Sequence, residues 1–288
     1  MGRRHRRLAD DHARRGFRAQ ERGDLRAALH WLTEAGRGGH AAAQWCVATL
    51  YENGELGRPD PERARYWLLR AARQGFGPAE FSLGFLFERG EGRDPDPVEA
   101  RRWYERAAIH GERGAPLQLA RLLLGGGAEG ADPVAAAVWL ERAAGQGVAE
   151  AAYTLGVLHR RGIGVPRDPR RCFWWTSHAA HAGHRAAQVN LGVLYLRGEG
   201  VPRDFERAVA WVRRAAEAGS ASAQRRLARC LAAGIGAPVD LTAAYMWATL
   251  AEAAGDGEAR DVRRALAARL SARERWEGRA RAVRRSAS

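Results

Sequence analysis

The chain has 288 residues with a formal net charge of +14, and 46% of them are apolar. That is enough for a continuous core, and no run approaches the ~18 apolar residues of a membrane-spanning helix. The basic start, Met1 to Asp10, leads to no apolar segment, so we expect no secretory leader. Three widely spaced cysteines suit a reducing compartment, which predicts a cytoplasmic location. Lysine is absent, which is typical of GC-rich coding and favours a bacterial protein.

Three columns of residues recur every 36 positions, so the chain repeats one structural unit. An Asp, a strong helix N-cap, stands seven residues before each Trp, and a Gly, which favours the left-handed end of a helix, stands eight residues after it. A helix is therefore predicted between each Asp and Gly. The columns are Asp24, Asp60, Asp96, Asp132, Asp168, Asp204 and Asp240; Trp31, Trp67, Trp103, Trp139, Trp175, Trp211 and Trp247; Gly39, Gly75, Gly111, Gly147, Gly183, Gly219 and Gly255.

A further helix is predicted upstream of each Asp, so that every repeat has a first helix and a second helix. Its apolar positions are seven residues apart, and a glycine-rich connector follows it. In the second helix, small residues three before and four after the Trp share one face, on which the Trp is predicted to fill the remaining space. The first-helix columns are Ala43, Ala79, Ala115, Ala151, Ala187 and Ala223, then Leu50, Leu86, Leu122, Leu158, Leu194 and Cys230.

The repeats resemble a known family. Residues 187–195 read Ala-Gln-Val-Asn-Leu-Gly-Val-Leu-Tyr, and Gly-x-Gly-Val-Pro-x-Asp and Ala-x-x-Trp-x-x-x-Ala-Ala follow. These motifs are similar to the Sel-1-like repeat, a relative of the tetratricopeptide repeat, over residues 8 to 256. The resemblance implies an all-α fold, a right-handed superhelical α-solenoid of antiparallel helix pairs. Its parts would be an N-terminal capping repeat with a basic arm (1–40), six repeats (41–256), and C-terminal capping helices with a basic tail (257–288).

The same resemblance implies a non-enzymatic adaptor for other proteins, with the positions beside the Leu-Gly pair of each first helix on the concave face. These positions are mostly apolar or aromatic in repeats two to six, apart from Arg121 in repeat four and Asn190 in repeat six, and basic in repeat seven. Such a surface suits a peptide with an acidic end. The alternative is that the aromatic residues pack between helices. The predicted partner-binding residues are Trp45, Phe81, Phe85, Leu117, Arg121, Tyr153, Val157, Val189, Asn190, Val193, Arg225, Arg226 and Arg229.

No pattern in the sequence favours catalysis. Equivalent aspartates of neighbouring repeats are expected at least ~10 Å apart, too far for paired carboxylates, and the Gly-x-Gly stretches lead to no phosphate-binding Lys. Metal-ligand residue types cluster only at His178, His181 and His184 with Cys172, where sister repeats carry Arg and Glu, so a solvated face is the preferred interpretation. We therefore expect no enzyme activity, cofactor, metal or small-molecule substrate.

Most of the net charge lies at the two ends of the chain. Residues 1–18 carry seven Arg and two Asp, and residues 260–288 carry ten Arg and three acidic residues. An alternative function is therefore electrostatic binding of nucleic acid or of an anionic membrane surface through these ends. No recognised DNA-binding or base-stacking motif accompanies the arginines.

The last predicted helix begins at a capping box, Ser271 to Glu274. Behind it, Trp276, Ala280 and Val283 share one helical stripe. This stripe is predicted to close the core at the end of the solenoid.

Overall fold

The computed structural model describes residues 2–55, 57–90, 94–125 and 130–286, with side chains from residue 5 onward. Every regular element in these ranges is an α-helix, which confirms the all-α prediction. The described helices are α1 (Gly2–Glu21), α2 (Leu25–Arg37), α3 (Ala41–Glu52), α4 (Pro61–Ala72), α5 (Gly77–Arg89), α6 (Pro97–Ile109), α7 (Ala115–Gly125), α8 (Pro133–Gly145), α9 (Ala149–Arg161), α10 (Pro169–His181), α11 (Arg185–Arg197), α12 (Phe205–Glu217), α13 (Ala221–Ala233), α14 (Leu241–Ala253), α15 (Ala259–Ala267) and α16 (Ala272–Ser286). Odd numbers up to α13 are first helices, and even numbers up to α14 are second helices.

The chain forms two compact units, residues 1–139 and 140–288. In the first unit, helices that follow one another in sequence pack together from α1 to α7. In the second unit the same packing of neighbours runs from α9 to α14, and α15 and α16 pack on α14. Each helix therefore buries its apolar face against its neighbours, as in other repeat proteins.

Each second helix begins at its Asp, as predicted. One carboxylate oxygen of every Asp in the column accepts the backbone N–H three residues later, at 2.8–3.1 Å. This bond satisfies a donor that the first turn leaves without a partner. The helix starts are therefore fixed by local chemistry.

Glycines fix the ends and connectors of the helices. The glycine eight residues after each Trp has φ between +75° and +92°, the predicted left-handed conformation. In two Gly-x-Gly connectors the second glycine allows a close backbone approach, since a Cβ on Gly200 would lie 2.0 Å from the Pro169 carbonyl oxygen, and one on Gly236 equally close to that of Phe205. Packing thus explains this motif without phosphate. The predicted turn at Gly126 lies outside the described residues.

The core consists mainly of alanines from the second helices and leucines from the first helices, all of them buried. The tryptophan column lies at the edge of this core: Trp67 and Trp247 are buried, whereas the other five are half-buried. Arg guanidinium groups cover several of the rings, such as Arg106 over Trp103 at 4.8 Å. We expected the rings to fill the space between helices. Because the alanines bring neighbouring backbones close together, most of the rings lie at the margin instead.

The stripe predicted on α16 is wrong, although the capping box is confirmed, with Glu274 N–H donating to Ser271 Oγ at 3.3 Å. Trp276 is 72% exposed and Val283 is 67% exposed. The helix packs through Gly278 instead, where a Cβ would lie 2.9 Å from the ring of Tyr245. This close approach turns the opposite, apolar stripe toward solvent. Among the described helices, none has the length and apolar character needed to cross a bilayer.

Candidate functional site

The predicted partner-binding residues belong to two columns of the first helices. We call the first the contact column, because several of its members touch the repeat that follows within the same unit. We call the second the open face, because its members lie on the side of the first helix away from the core. The contact column is Trp45, Phe81, Leu117, Tyr153, Val189 and Arg225. The open face is Phe85, Arg121, Val157, Asn190, Val193, Arg226 and Arg229.

In the first unit the contact column joins neighbouring repeats. The indole Nε1 of Trp45 donates to Ser82 Oγ at 3.2 Å. Phe81 packs against Tyr104, with ring centroids 5.6 Å apart, and lies 3.2 Å from the place a Cβ on Gly114 would take. Both side chains are half-buried. Part of each ring therefore packs between helices, as the alternative interpretation of the aromatic residues expects.

The contact column of the second unit is packed in the same way. Tyr153 stacks on His184 at 4.5 Å, and Val189 is buried. Arg225 is held by two carboxylates, Asp256 at 2.8 Å and Glu258 at 2.7 Å. The charge of Arg225 is thus balanced inside the chain. A sequence argument alone missed this pairing, because both acids lie far along the chain, beyond the end of α14.

The open face is more accessible. Phe85 is half-buried beneath the Arg89 guanidinium at 5.1 Å, whereas Arg121 and Arg226 are exposed. Arg229 is also exposed, 3.8 Å from Glu258. This face offers both apolar and cationic groups to a partner.

In the second unit the open face contains a depression, which we call the α9–α11 niche. It brings together three of the predicted residues, Val157, Asn190 and Val193. Arginines and a carboxylate that the sequence reasoning missed also line it. The full lining is Gly156, Val157, Arg160, Cys172, Thr176, Asn190, Val193, Leu194, Arg197 and Glu199. Arg160 stands where earlier repeats carry Glu52, Glu88 and Leu124, and its opposite charge to the two acids could have identified it.

A buried ionic cluster in the first unit was also missed. Glu80 on α5 is fully buried, and its Oε1 accepts a hydrogen bond from Arg106 Nε at 3.0 Å. Its Oε2 lies 2.6 Å from His110 Nδ1, and Arg106 also donates to the Ala72 carbonyl oxygen at 3.2 Å. These bonds tie α4, α5 and α6 together. Every oxygen of the carboxylate is used structurally.

The histidine group considered for metal has other contacts. His184 Nδ1 accepts the Ala187 N–H at 3.1 Å, and its Nε2 lies 2.8 Å from Glu150. His181 Nδ1 lies 2.8 Å from the Ser177 carbonyl oxygen. Among the residues that the structure describes, no group of three or more His, Cys, Asp or Glu side chains is arranged to hold a metal ion.

The cysteines are placed as apolar residues rather than nucleophiles. All three are free thiols. Burial raises the pKa of Cys46 to about 11. Burial also raises the pKa of Cys172, against the opposing influence of a hydrogen bond with Thr176 and the charge of Arg160. Both thiols are therefore protonated near neutral pH and are poor nucleophiles.

Antiparallel helix pairs with a 36-residue period define a class of repeat protein, and comparison with known proteins identifies its family. The Sel1 repeat matches residues 6–40, 41–76, 77–112, 117–148, 149–184, 185–220 and 221–256. The chain belongs to the Sel1 repeat family. Sel1 repeat proteins are generally non-catalytic scaffolds that bind other proteins.

Solved structures agree with this family. The chain is 26% identical to c5321, a protective antigen of uropathogenic Escherichia coli strains with an SLR fold; the match covers 98% of this chain but only 60% of c5321, with a TM-score of 0.76. It is 29% identical to a Sel1 repeat protein from Oxalobacter formigenes, covering 90% of this chain and 88% of that one, with a TM-score of 0.59. No curated protein matches.

Proposed function

We propose that this protein is a non-enzymatic scaffold that binds a peptide or protein partner through the open face of its first helices, on the concave side. The observation that carries this proposal is the chemistry of that face. Val157 and Val193 lie beside Asn190 in one depression, so apolar surface and a hydrogen-bonding amide occur together. Peptide-binding grooves combine these features, because side-chain pockets and polar groups recognise different parts of the peptide.

The contact column has a supporting role in this proposal. Trp45, Phe81, Tyr153 and Val189 are engaged with neighbouring helices. They therefore set the spacing of the open face, while their half-buried members leave an edge for a partner. We propose a cytoplasmic location, in keeping with three free cysteines.

A capture experiment with matched valine substitutions tests the function. The full chain is immobilised, and bound proteins are identified after cross-linking in cell lysate. The double variant Val157→Gln and Val193→Gln changes the open face. The control is Val134→Gln with Val138→Gln, two exposed valines of the second helix α8. We expect the open-face variant to lose the reproducible partners of the unmodified chain and the control to keep them.

Two results would contradict the proposal. One is capture that both double variants retain equally. The other is capture that survives the open-face substitutions but falls steeply with salt and disappears when residues 1–6 and 281–288 are removed, since binding through charge alone depends strongly on ionic strength. Far-ultraviolet circular dichroism of each variant establishes that the helices are intact.

A further inference from the structure

The α9–α11 niche lies at a position between two helices that the side chains of Tyr104 and Glu88 occupy in the first unit. In α5 and α6, Gly84 lies against the Tyr104 ring, and Tyr104 O–H donates to Glu88 Oε2 at 2.7 Å. The ring and its acid together occupy this position between the two helices. Two repeats later, each of these three residues has a counterpart in α9 and α10.

In those counterparts the glycine is kept as Gly156, but Thr176 replaces the tyrosine and Arg160 replaces the glutamate. The threonine hydroxyl is short, and a Cβ on Gly156 would lie 2.6 Å from its Oγ1. The space that a phenol ring takes in the first unit is thus open in the second, and the group at its mouth is a cation instead of an anion. The enclosed volume of the niche is about 20 Å³, on the order of the space that one or two water-sized groups occupy. It therefore fits a single small polar group, such as a carboxylate, rather than a ring or a helix.

The charges around the niche leave cations without partners. Arg197 pairs with Glu199 at 3.3 Å. An adjoining crevice shares Arg160 and Glu199 with the niche and adds Arg167. Within the described parts of the chain, Arg160 and Arg167 have neither an ion pair nor a side-chain hydrogen bond. Three guanidinium groups thus face Glu199 and, at the base of the niche, the charge of Asp168, which acts on Cys172 together with Glu199. A smaller local excess of positive charge remains.

The niche also has groups that suit the rest of a peptide. The Asn190 side chain is half-exposed, and its amide, which can both donate and accept, has no bond within the described residues. Val157 and Val193 supply an apolar wall beside it. The thiol of Cys172 at the base is buried and protonated, so it adds no negative charge.

We propose that the α9–α11 niche is a carboxylate-binding subsite, in which the Arg160 guanidinium receives a carboxylate of the partner and the Asn190 amide binds the adjacent peptide group. The proposal rests on the proposed function and gives it a chemical specificity. The carboxylate comes either from an Asp or Glu side chain or from the end of the partner chain. A guanidinium suits both, because its planar N–H groups match two carboxylate oxygens.

The test uses small probes with the full, isotopically labelled chain. N-acetyl-valine presents a terminal carboxylate, and N-acetyl-glutamate N-methylamide presents a side-chain carboxylate. Their neutral counterparts are N-acetyl-valine N-methylamide and N-acetyl-glutamine N-methylamide. Titration is followed by nuclear magnetic resonance at the Asn190 side-chain amide and the Gly156 N–H. We expect at least one acid to bind about tenfold or more tightly than its neutral counterpart, since a charge-assisted hydrogen bond has that effect.

Two substitutions locate the site. Arg160→Gln should weaken binding of the acid about tenfold or more, whereas Arg161→Gln, the adjacent exposed arginine outside the niche, should leave it unchanged. Thr176→Tyr should block binding by rebuilding the Gly84 and Tyr104 arrangement of the first unit. If Thr176→Tyr prevents folding, Arg160→Gln at the surface still decides the outcome.

The proposal is overturned if no probe perturbs the two signals, if the neutral probes bind as tightly as the acids, or if Arg160→Gln and Arg161→Gln behave alike. Whichever acid binds identifies the source of the carboxylate. Failure here is distinct from failure of the proposed function, because partner capture in the valine experiment does not require a carboxylate. If capture is lost in the open-face valine variant but kept in Arg160→Gln, the scaffold function is supported and the carboxylate subsite is rejected.

Discussion

Two repeats, one in each unit, place different side chains at one equivalent position of the first helix. In the first unit Glu80 is fully buried between Arg106 and His110. In the second unit Gln188 occupies this position, and its Nε2 donates to the Ala180 carbonyl oxygen at 3.3 Å. The Glu80 repeat thus uses a buried carboxylate where the Gln188 repeat uses a neutral amide, as does the preceding repeat of the first unit, in which Gln44 Nε2 donates to the Gly36 carbonyl oxygen at 2.7 Å.

The difference depends on the second helix that follows. His110 stands just after α6, and Ala218 is its counterpart just after α12. A buried carboxylate without a compensating cation and hydrogen bonds is destabilising by several kcal/mol, so Glu80 requires the Arg106 guanidinium and the hydrogen bond with His110. An amide has a smaller requirement, and the Oε1 atom of Gln188 has no partner among the described residues. A repeat therefore tolerates a change at this position only together with a change in the next helix.

The largest effect should come from removing a buried member of the tryptophan column. Trp247 is 2% exposed beneath the Arg285 guanidinium, so Trp247→Ala should destabilise the protein by about 3–5 kcal/mol through the cavity it leaves. Trp276→Ala, at a 72% exposed ring, should cost less than about 0.5 kcal/mol. Urea unfolding of both variants measures the difference. Equal losses would contradict packing between nearest neighbours as the source of stability.

The difference between Glu80 and Gln188 is tested most directly by removing the arginine of the following helix. Arg106→Ala should destabilise by about 2–3 kcal/mol, somewhat below the ~3–5 kcal/mol of a fully buried pair, because Arg106 is half exposed and His110 remains. Its counterpart Arg214 lies over the Trp211 ring, at 5.6 Å, and has no ion pair with a carboxylate among the described residues. Arg214→Ala should therefore cost about 0.5–1 kcal/mol.

The control for this prediction is Glu80→Gln, which gives the Glu80 repeat the neutral residue of the Gln188 repeat. In that background Arg106→Ala should lose most of its effect, which a double-mutant cycle measures. An undiminished effect of Arg106→Ala would mean that the arginine acts through Trp103 or the Ala72 carbonyl rather than through the carboxylate.

Periodicity predicted the parts of the fold that are local. The Asp caps, the left-handed glycines and the buried alanines each depend on residues within one repeat, so a fixed spacing was enough to place them. Periodicity does not predict contacts made with the next repeat. Glu80, Arg225 and the open niche beneath Arg160 all depend on side chains from a following helix, and equivalence of position says nothing about which of those side chains reach them.

The same limit explains the error at the C-terminus. The stripe of Trp276, Ala280 and Val283 has the correct helical spacing, but Gly278 allows α16 to approach α14 by its other side. Val157 and Val193 share one column, 36 residues apart, and the structure places both in the niche together with Asn190. Arg160 was overlooked because it is an exception to its column.

Caps should have moderate effects that are equal in the two units. Asp60→Ala and Asp204→Ala each remove one bond to the first turn, at 2.9 Å in both cases. Each substitution should cost about 0.5–2 kcal/mol. Thermal unfolding of the two single variants tests whether this column, unlike the Glu80 position, is interchangeable between units. A cost confined to one variant would show that the caps depend on their repeats.

The smallest predicted effect is on the pH dependence of stability. It comes from Glu252 and its arginine partners, an ion-pair cluster that is more exposed than that of Glu80. Hydrogen bonds from Arg263, then from Arg260, lower the pKa of Glu252 below its ordinary value. A carboxyl with a lowered folded-state pKa adds stability above its unfolded-state pKa, and that stability is lost as the pH falls through the folded-state value. Acidification from neutral pH to about pH 3 should therefore weaken the protein partly through Glu252.

Arg263→Gln removes the strongest of these hydrogen bonds, so the variant should lose less stability on acidification than the unmodified chain does. The measurement is the urea midpoint at both pH values. In a Glu252→Gln background, Arg263→Gln should no longer alter the pH dependence, because the titrating partner is gone. If Arg263→Gln changes the pH dependence equally with and without Glu252, then Arg263 acts through another group. The contact to examine is then the hydrogen bond that Arg263 Nη1 donates to Tyr245 Oη at 3.4 Å.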